Sequence, residues 1–171
     1  MRIIAVLITT ALAVTGCGKG SNAMTFEATE QHRVQDTILR HLRDTAAALP
    51  AGTVIDGSRF AGSGHISLCD DTDSGPAAPM RFHTIGEVKS QGGQDAVVSG
   101  AGELWRRWGW QVVEREGFAT PNRFGYSPDG YRLQIVAAGE DHPPVLQASS
   151  PCFPRPAVRD EVPFPTIVTG A

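Results

Sequence analysis

The chain has 171 residues, 41% of them hydrophobic and 19% charged. That composition supports one packed domain with tails, and it excludes a wholly disordered chain and a polytopic membrane protein. A net charge of −3 and a pI near 5.9 give no electrostatic footprint for a nucleic-acid partner.

Arg2 precedes an apolar run, Ile3 to Val14, broken only by Thr9 and Thr10. At 12 residues the run is too short to cross a hydrocarbon core as a helix, which needs about 20. It has the length of a signal-peptide apolar region. Val14-Thr15-Gly16-Cys17 follows and resembles the bacterial lipobox. The resemblance implies that residues 1–16 are a signal peptide and that Cys17 carries a diacylglyceryl thioether at the mature N-terminus. Two acyl chains anchor stably where one binds marginally. The expected location is therefore the extracytoplasmic face of a cell membrane. From Cys17 onward the chain has 14 basic and 18 acidic residues, so the expected anchor is lipid and not a basic patch. Residues 17–28, with Gly18, Gly20, Ser21 and Asn22, read as a flexible tether.

Glu30 to Leu49 reads as a helix. Val34, Ile38, Leu42, Ala46 and Leu49 form one apolar stripe, and Asp36/Arg40 and Arg40/Asp44 are i, i+4 pairs on the solvated face. Pro50 stops it and Ala51-Gly52 turns the chain. Thr53 to Ile55 is a short strand candidate. His65 to Cys69 alternates, with Ile66 and Leu68 on one face. Asp70 to Pro79 is a loop, and Arg81 to Val88 a strand. Asp95 to Trp108 reads as a second helix with a buried stripe of Val97, Ala101, Leu104, Trp105 and Trp108. Gly100 and Gly102 fit a helix lying close on a sheet, and Gly109 suits the position after the C-cap. A meander follows: Gln111 to Arg115, Asn122 to Tyr126, Tyr131 to Val136 and Val145 to Ser150. In its third strand Tyr131, Leu133 and Ile135 alternate with Arg132 and Gln134.

The longer elements run α-β-β-α-β-β-β-β. The expected fold class is α+β, a two-layer sandwich with two helices packed on one face of an antiparallel sheet. One domain should occupy 29–153. Residues 154–171 hold four prolines and read as an extended C-terminal tail.

Three cysteines are odd for a secreted chain, but with Cys17 assigned to lipid two remain, Cys69 and Cys152. In an oxidising compartment a disulfide is the default, worth roughly 4 to 5 kcal/mol in the chain-entropy picture. A redox pair is the functional alternative, though no C-x-x-C supports it. Thiols so far apart carry no metal-ligand spacing.

The lipobox, Leu49-Pro50-Ala51-Gly52-Thr53, Leu68-Cys69-Asp70, Asp129-Gly130-Tyr131, Pro151-Cys152-Phe153 and the Pro-rich tail together resemble the LppA-like lipoproteins of mycobacteria and related actinobacteria. The resemblance implies an envelope lipoprotein with a paired-cysteine domain. It implies no reaction.

Catalytic patterns are missing from the sequence. There is no G-x-S-x-G, since Gly62-Ser63-Gly64 is a loop tripeptide, and no H-E-x-x-H, Walker loop or dinucleotide fingerprint. Asp70-Asp71-Thr72-Asp73-Ser74-Gly75 fails the calcium-loop register, because counting from Asp71 puts Gly75 at position 5 and Phe82 at position 12. No cofactor or metal is expected. His32 and His41 read as helix-surface residues. His65 and His83 lie on strands that could be neighbours, with Asp70 and Asp71 nearby, and form the one constellation to test for hydrolytic or metal-dependent chemistry. Trp105, Trp108, Phe82 and Leu133 are the candidate ligand-facing residues of a cavity between helices and sheet, though tryptophans at helical spacing also suit a core. Trp110 is a candidate for partial exposure. The leading expectation is a non-enzymatic lipid-anchored domain that binds an envelope protein or supports an envelope assembly. The alternative is a carrier or chaperone of a lipid or other apolar small molecule.

Overall fold

The computed structural model describes residues 21–60, 64–139, 141–158 and 162–170, with the backbone alone for residues 21–29. Residues 1–16, expected to form a signal peptide, and Cys17 lie outside the described residues. Helix α1 spans Ser21–Ala48. It starts ahead of the expected Glu30, so residues 21–28 of the expected tether are helical. Its stripe of Val34, Ile38, Leu42, Ala46 and Leu49 is buried throughout. Proline at position 50 ends it, and the Thr53 amide closes the turn on the Pro50 carbonyl at 3.1 Å.

The strands are β1 (Val54–Asp56), β2 (His65–Leu68), β3 (Met80–Lys89), β4 (Gln111–Val113), β5 (Asn122–Tyr126), β6 (Arg132–Val136), β7 (Val145–Ser149) and β8 (Ile167–Thr169). They form one antiparallel sheet in the order β4-β5-β6-β7-β3-β1-β8, with β2 also on β3. Strand β3 is the organiser. On one edge it pairs with β7. On the other, its start takes β2 and its end takes β1. Helix α2, Gln94–Arg107, and α1 cover one face of this sheet, as the α+β reading expects. Phe82, Val88, Leu133, Ile135, Leu146 and Ala148 are buried beneath them.

Helix α2 reaches the sheet through two glycines. A Cβ at Gly125 would stand 2.7 Å from the Trp105 indole, and one at Gly102 would stand 2.8 Å from Arg123 Cγ. Both are closer than packed carbon atoms stand. The role expected of Gly102 therefore holds, with Gly125 as its counterpart on the strand.

The C-terminal segment corrects the expected boundary at 153. It is extended and proline-rich, but it is not a tail. Phe153 and Ala157 sit in the core. Phe164 packs on Phe82, with ring centroids 4.9 Å apart. Strand β8 pairs with β1 along Asp56↔Ile167, Ile55↔Val168 and Val54↔Thr169, and Val168 is buried. The segment joins the helices in covering the sheet.

Cys69 and Cys152 are joined as a disulfide with a Cα–Cα distance of 6.1 Å. It ties the end of β2 to the residues just past β7. The adjacent Met80↔Phe153 bridge holds the same corner.

Candidate functional site

The two faces of the sheet offer different chemistry. On the covered face, three of the expected ligand-facing residues are core. Trp105 is fully buried and donates Nε1–H to Thr45 Oγ1 at 3.2 Å. Leu133 and Phe82 are buried too, at 1% and 2% exposure. Trp108 is half-buried against Trp110 and His41, with centroids 5.4 and 5.3 Å apart. Trp105 and Phe82 are packed in the core and Trp108 at its edge, while Leu133 is buried and also contributes to the lining of the depression on the opposite face. Trp110 is buried, not partly exposed. His41 is not a free surface residue either. It lies half-buried among Trp108, Trp110 and Tyr131, where burial and then the Arg40 charge lower its pKa.

The open face is built by register. Tyr126 stands opposite Arg132, Arg132 opposite Ser149, Ser149 opposite His83 and His83 opposite His65. Because side chains alternate with period two, the partners of one register line share a face. Five chemistry-bearing residues thus form one row across five strands. Phe124, Gln134 and Gln147 form the next row. A depression of about 220 Å³ lies over these rows, with Arg115, Phe124, Tyr126, Arg132, Gln147 and Ser149 among its lining.

His83 is the centre of the histidine end. Its Nε2 is 2.9 Å from Ser67 Oγ and its Nδ1 is 2.9 Å from Ser149 Oγ. A neutral imidazole has one donor and one acceptor nitrogen, so one serine accepts from the ring while the other donates to it. His65 stacks on His83, with centroids 5.1 Å apart and planes at 19°. Burial, then the His65 and Arg81 charges, push the His83 pKa down to about 4. The ring is therefore neutral across the ordinary pH range.

The structure brings His65 and His83 together as the sequence suggests, but Asp70 and Asp71 do not join them. Asp70 Oδ1 accepts from the Thr72 amide at 2.9 Å and from the Thr72 hydroxyl at 2.7 Å, which holds its carboxyl below the usual pKa. Among the described residues, no three His, Cys, Asp or Glu groups cluster at metal-binding geometry.

The arginine end was missed in the sequence. Arg115 lies over the Phe124 ring at 4.1 Å and donates to Tyr126 Oη, a cation–π and hydrogen-bonded arrangement that orients its fork. Arg132 projects from the neighbouring strand. Arg81 reaches across the disulfide corner, donating to the Cys69 carbonyl at 3.0 Å. The alternation of Arg132 and Gln134 with buried Leu133 and Ile135 is a visible signal for this face. Arg115 lies beyond the end of β4 and carries no such signal.

No helix among the described residues is long and apolar enough to cross a membrane. No protein-family model, curated protein or solved structure matches this chain.

Proposed function

We propose that the chain is a lipid-anchored cell-envelope lipoprotein, held through Cys17 at the extracytoplasmic face of a membrane. Its folded domain is a non-enzymatic binding module that engages a partner through the open face of the sheet. The observation that carries this reading is the asymmetry of the sheet. One face is filled by helices and the C-terminal segment, and the other presents an ordered polar row with a concavity. The anchor draws support from the lipobox and from cysteine pairing, since the Cys69–Cys152 bond leaves Cys17 as the remaining thiol. The resemblance to LppA-like lipoproteins agrees with that placement. An apolar carrier would need room where Trp105, Phe82 and Leu133 are packed, so it is the weaker reading.

Fractionation of cells expressing the full chain tests the anchor. Wild type should sediment with membranes, and Cys17→Ser should move to the soluble or secreted fraction with an unchanged circular-dichroism spectrum. Membrane retention of Cys17→Ser overturns the anchor. A photo-crosslinking residue in place of Gln134 should give a discrete adduct on intact cells, whereas the same residue at exposed Arg106 should not. The reverse pattern overturns the choice of face.

A further inference from the structure

We propose that the depression on the open face is a binding site for a soluble organic phosphate, with Arg115 and Arg132 as its two cationic arms. This rests on the binding-module reading and names its ligand chemistry.

The cations of the open face divide by position, apart from Arg81, which donates to the Cys69 carbonyl at the disulfide corner. Toward β1 they are neutralised: Arg59 pairs with Glu87 at 2.6 Å and Lys89 with Asp56 at 2.6 Å. Toward β5 and β6 they are not. Among the described residues neither Arg115 nor Arg132 has a carboxylate partner. The chain as a whole is anionic, at −3. Two guanidinium groups without a carboxylate partner among the described residues, lining one concavity, are a local inversion of charge. A surface with surplus acid elsewhere leaves them available to an external anion.

Arg115 is also positioned before any ligand arrives. Its guanidinium is stacked on Phe124 and hydrogen-bonded to Tyr126, so less side-chain freedom is lost on binding. The Tyr126 hydroxyl accepts from Arg115, which frees its own proton for a ligand oxygen. Ser149 lines the same hollow, with His83 behind it. A ligand oxygen that takes the Ser149 proton selects the imidazole tautomer protonated on Nδ1, and Ser67 then donates to Nε2.

Donor number favours phosphate over carboxylate. Two guanidinium groups, a phenol and a serine hydroxyl line the same depression. A carboxylate offers two coplanar oxygens, while a phosphomonoester offers three in a tetrahedral array that suits forks arriving from different directions. Phe118, 46% exposed and 5.7 Å from Phe124 between ring centroids, gives the rim an apolar surface for the ester's organic part.

The test is calorimetric titration of the full chain, purified in a non-ionic detergent, with inorganic phosphate, glycerol 3-phosphate and acetate. Glycerol 3-phosphate should bind saturably and more tightly than acetate. Arg132→Gln and Arg115→Gln should each weaken it by about tenfold or more, the loss expected for a charge-assisted pair. Arg132→Lys should fall between, because it keeps the charge and loses the fork. Arg59→Gln, beside its own glutamate, should bind as wild type. Arg132 is exposed, and an unchanged melting temperature shows that its variants are folded. Equal affinity for acetate overturns the phosphate assignment. Wild-type affinity in both glutamine variants overturns the site. Binding to phosphatidylglycerol vesicles with none to the soluble probes overturns the soluble ligand in favour of a headgroup. Because the titration is done in detergent solution, its failure leaves the fractionation and cross-linking results standing.

Discussion

The same strands make two unlike surfaces. On β6, Leu133 and Ile135 point into the core while Arg132 and Gln134 point out; on β7, Leu146 and Ala148 point in while Gln147 and Ser149 point out. One alternation therefore writes two texts. The inward set is read by volume, since Trp105 fits only because Gly125 has no side chain. The outward set is read by register, since Arg132, Ser149 and His83 become neighbours only when β6, β7 and β3 pair as they do. The lesson is that stability and recognition are separable here by a single residue's shift along a strand.

The largest test of that separation is the disulfide, which closes the corner both faces share. Cys69→Ser should lower stability by roughly 4 kcal/mol in the chain-entropy picture, on the order of 10 °C in melting temperature, and expose Cys152 to thiol reagents. Two free thiols in the oxidised wild type would contradict the pairing. The next sets one face against the other. Trp105→Ala should cost about 3 to 5 kcal/mol as a large-to-small core change, whereas Arg132→Gln should change stability by no more than about 0.5 kcal/mol. Comparable losses in urea unfolding would mean that the open face is part of the structural core. The smallest concerns His83. Its pKa falls from 6.5 to about 4 on folding, so between those values the unfolded chain takes a proton that the folded chain refuses. Its contribution is complete above about pH 6.5 and is lost as pH drops toward about 4. His41, also lowered, acts in the same direction. His83→Gln should flatten the loss of melting temperature over this window without removing it. Identical slopes for wild type and His83→Gln would show that the ring is not held neutral.

Local patterns in the sequence were enough to find both helices, seven strands and the cysteine pair. Each element carries its own period, and Pro50 and Gly109 mark helix ends. The arrangement of strands was less legible, because register depends on partners distant in the chain. His83 and Ser149 are 66 positions apart, and nothing near either residue announces the other. The histidine pair was legible; the residues lining the arginine end were visible only as the polar half of an alternation. Strand β8 carries no signal in the sequence because Ile167-Val168-Thr169 is too short for periodicity to register, and Pro163 and Pro165 beside it read as breakers. The helical spacing of Trp105 marks it as a core candidate, but what it meets is decided by Gly125 on another element.

The pairing of β8 with β1 has a kinetic consequence. Residues 54–56 meet residues 167–169, so closing this ladder brings together segments far apart in the chain. Such non-local contacts slow folding relative to helices and hairpins. Until β8 seats, β1 presents an open hydrogen-bonding edge with Ile55 beside it, a template for pairing between chains. The three-residue ladder is also short enough to open locally before the sheet unfolds. The amides of β1 and β8 should therefore exchange with deuterium well ahead of those in β3, and the interval between synthesis and β8 docking is when this protein is most exposed to aggregation.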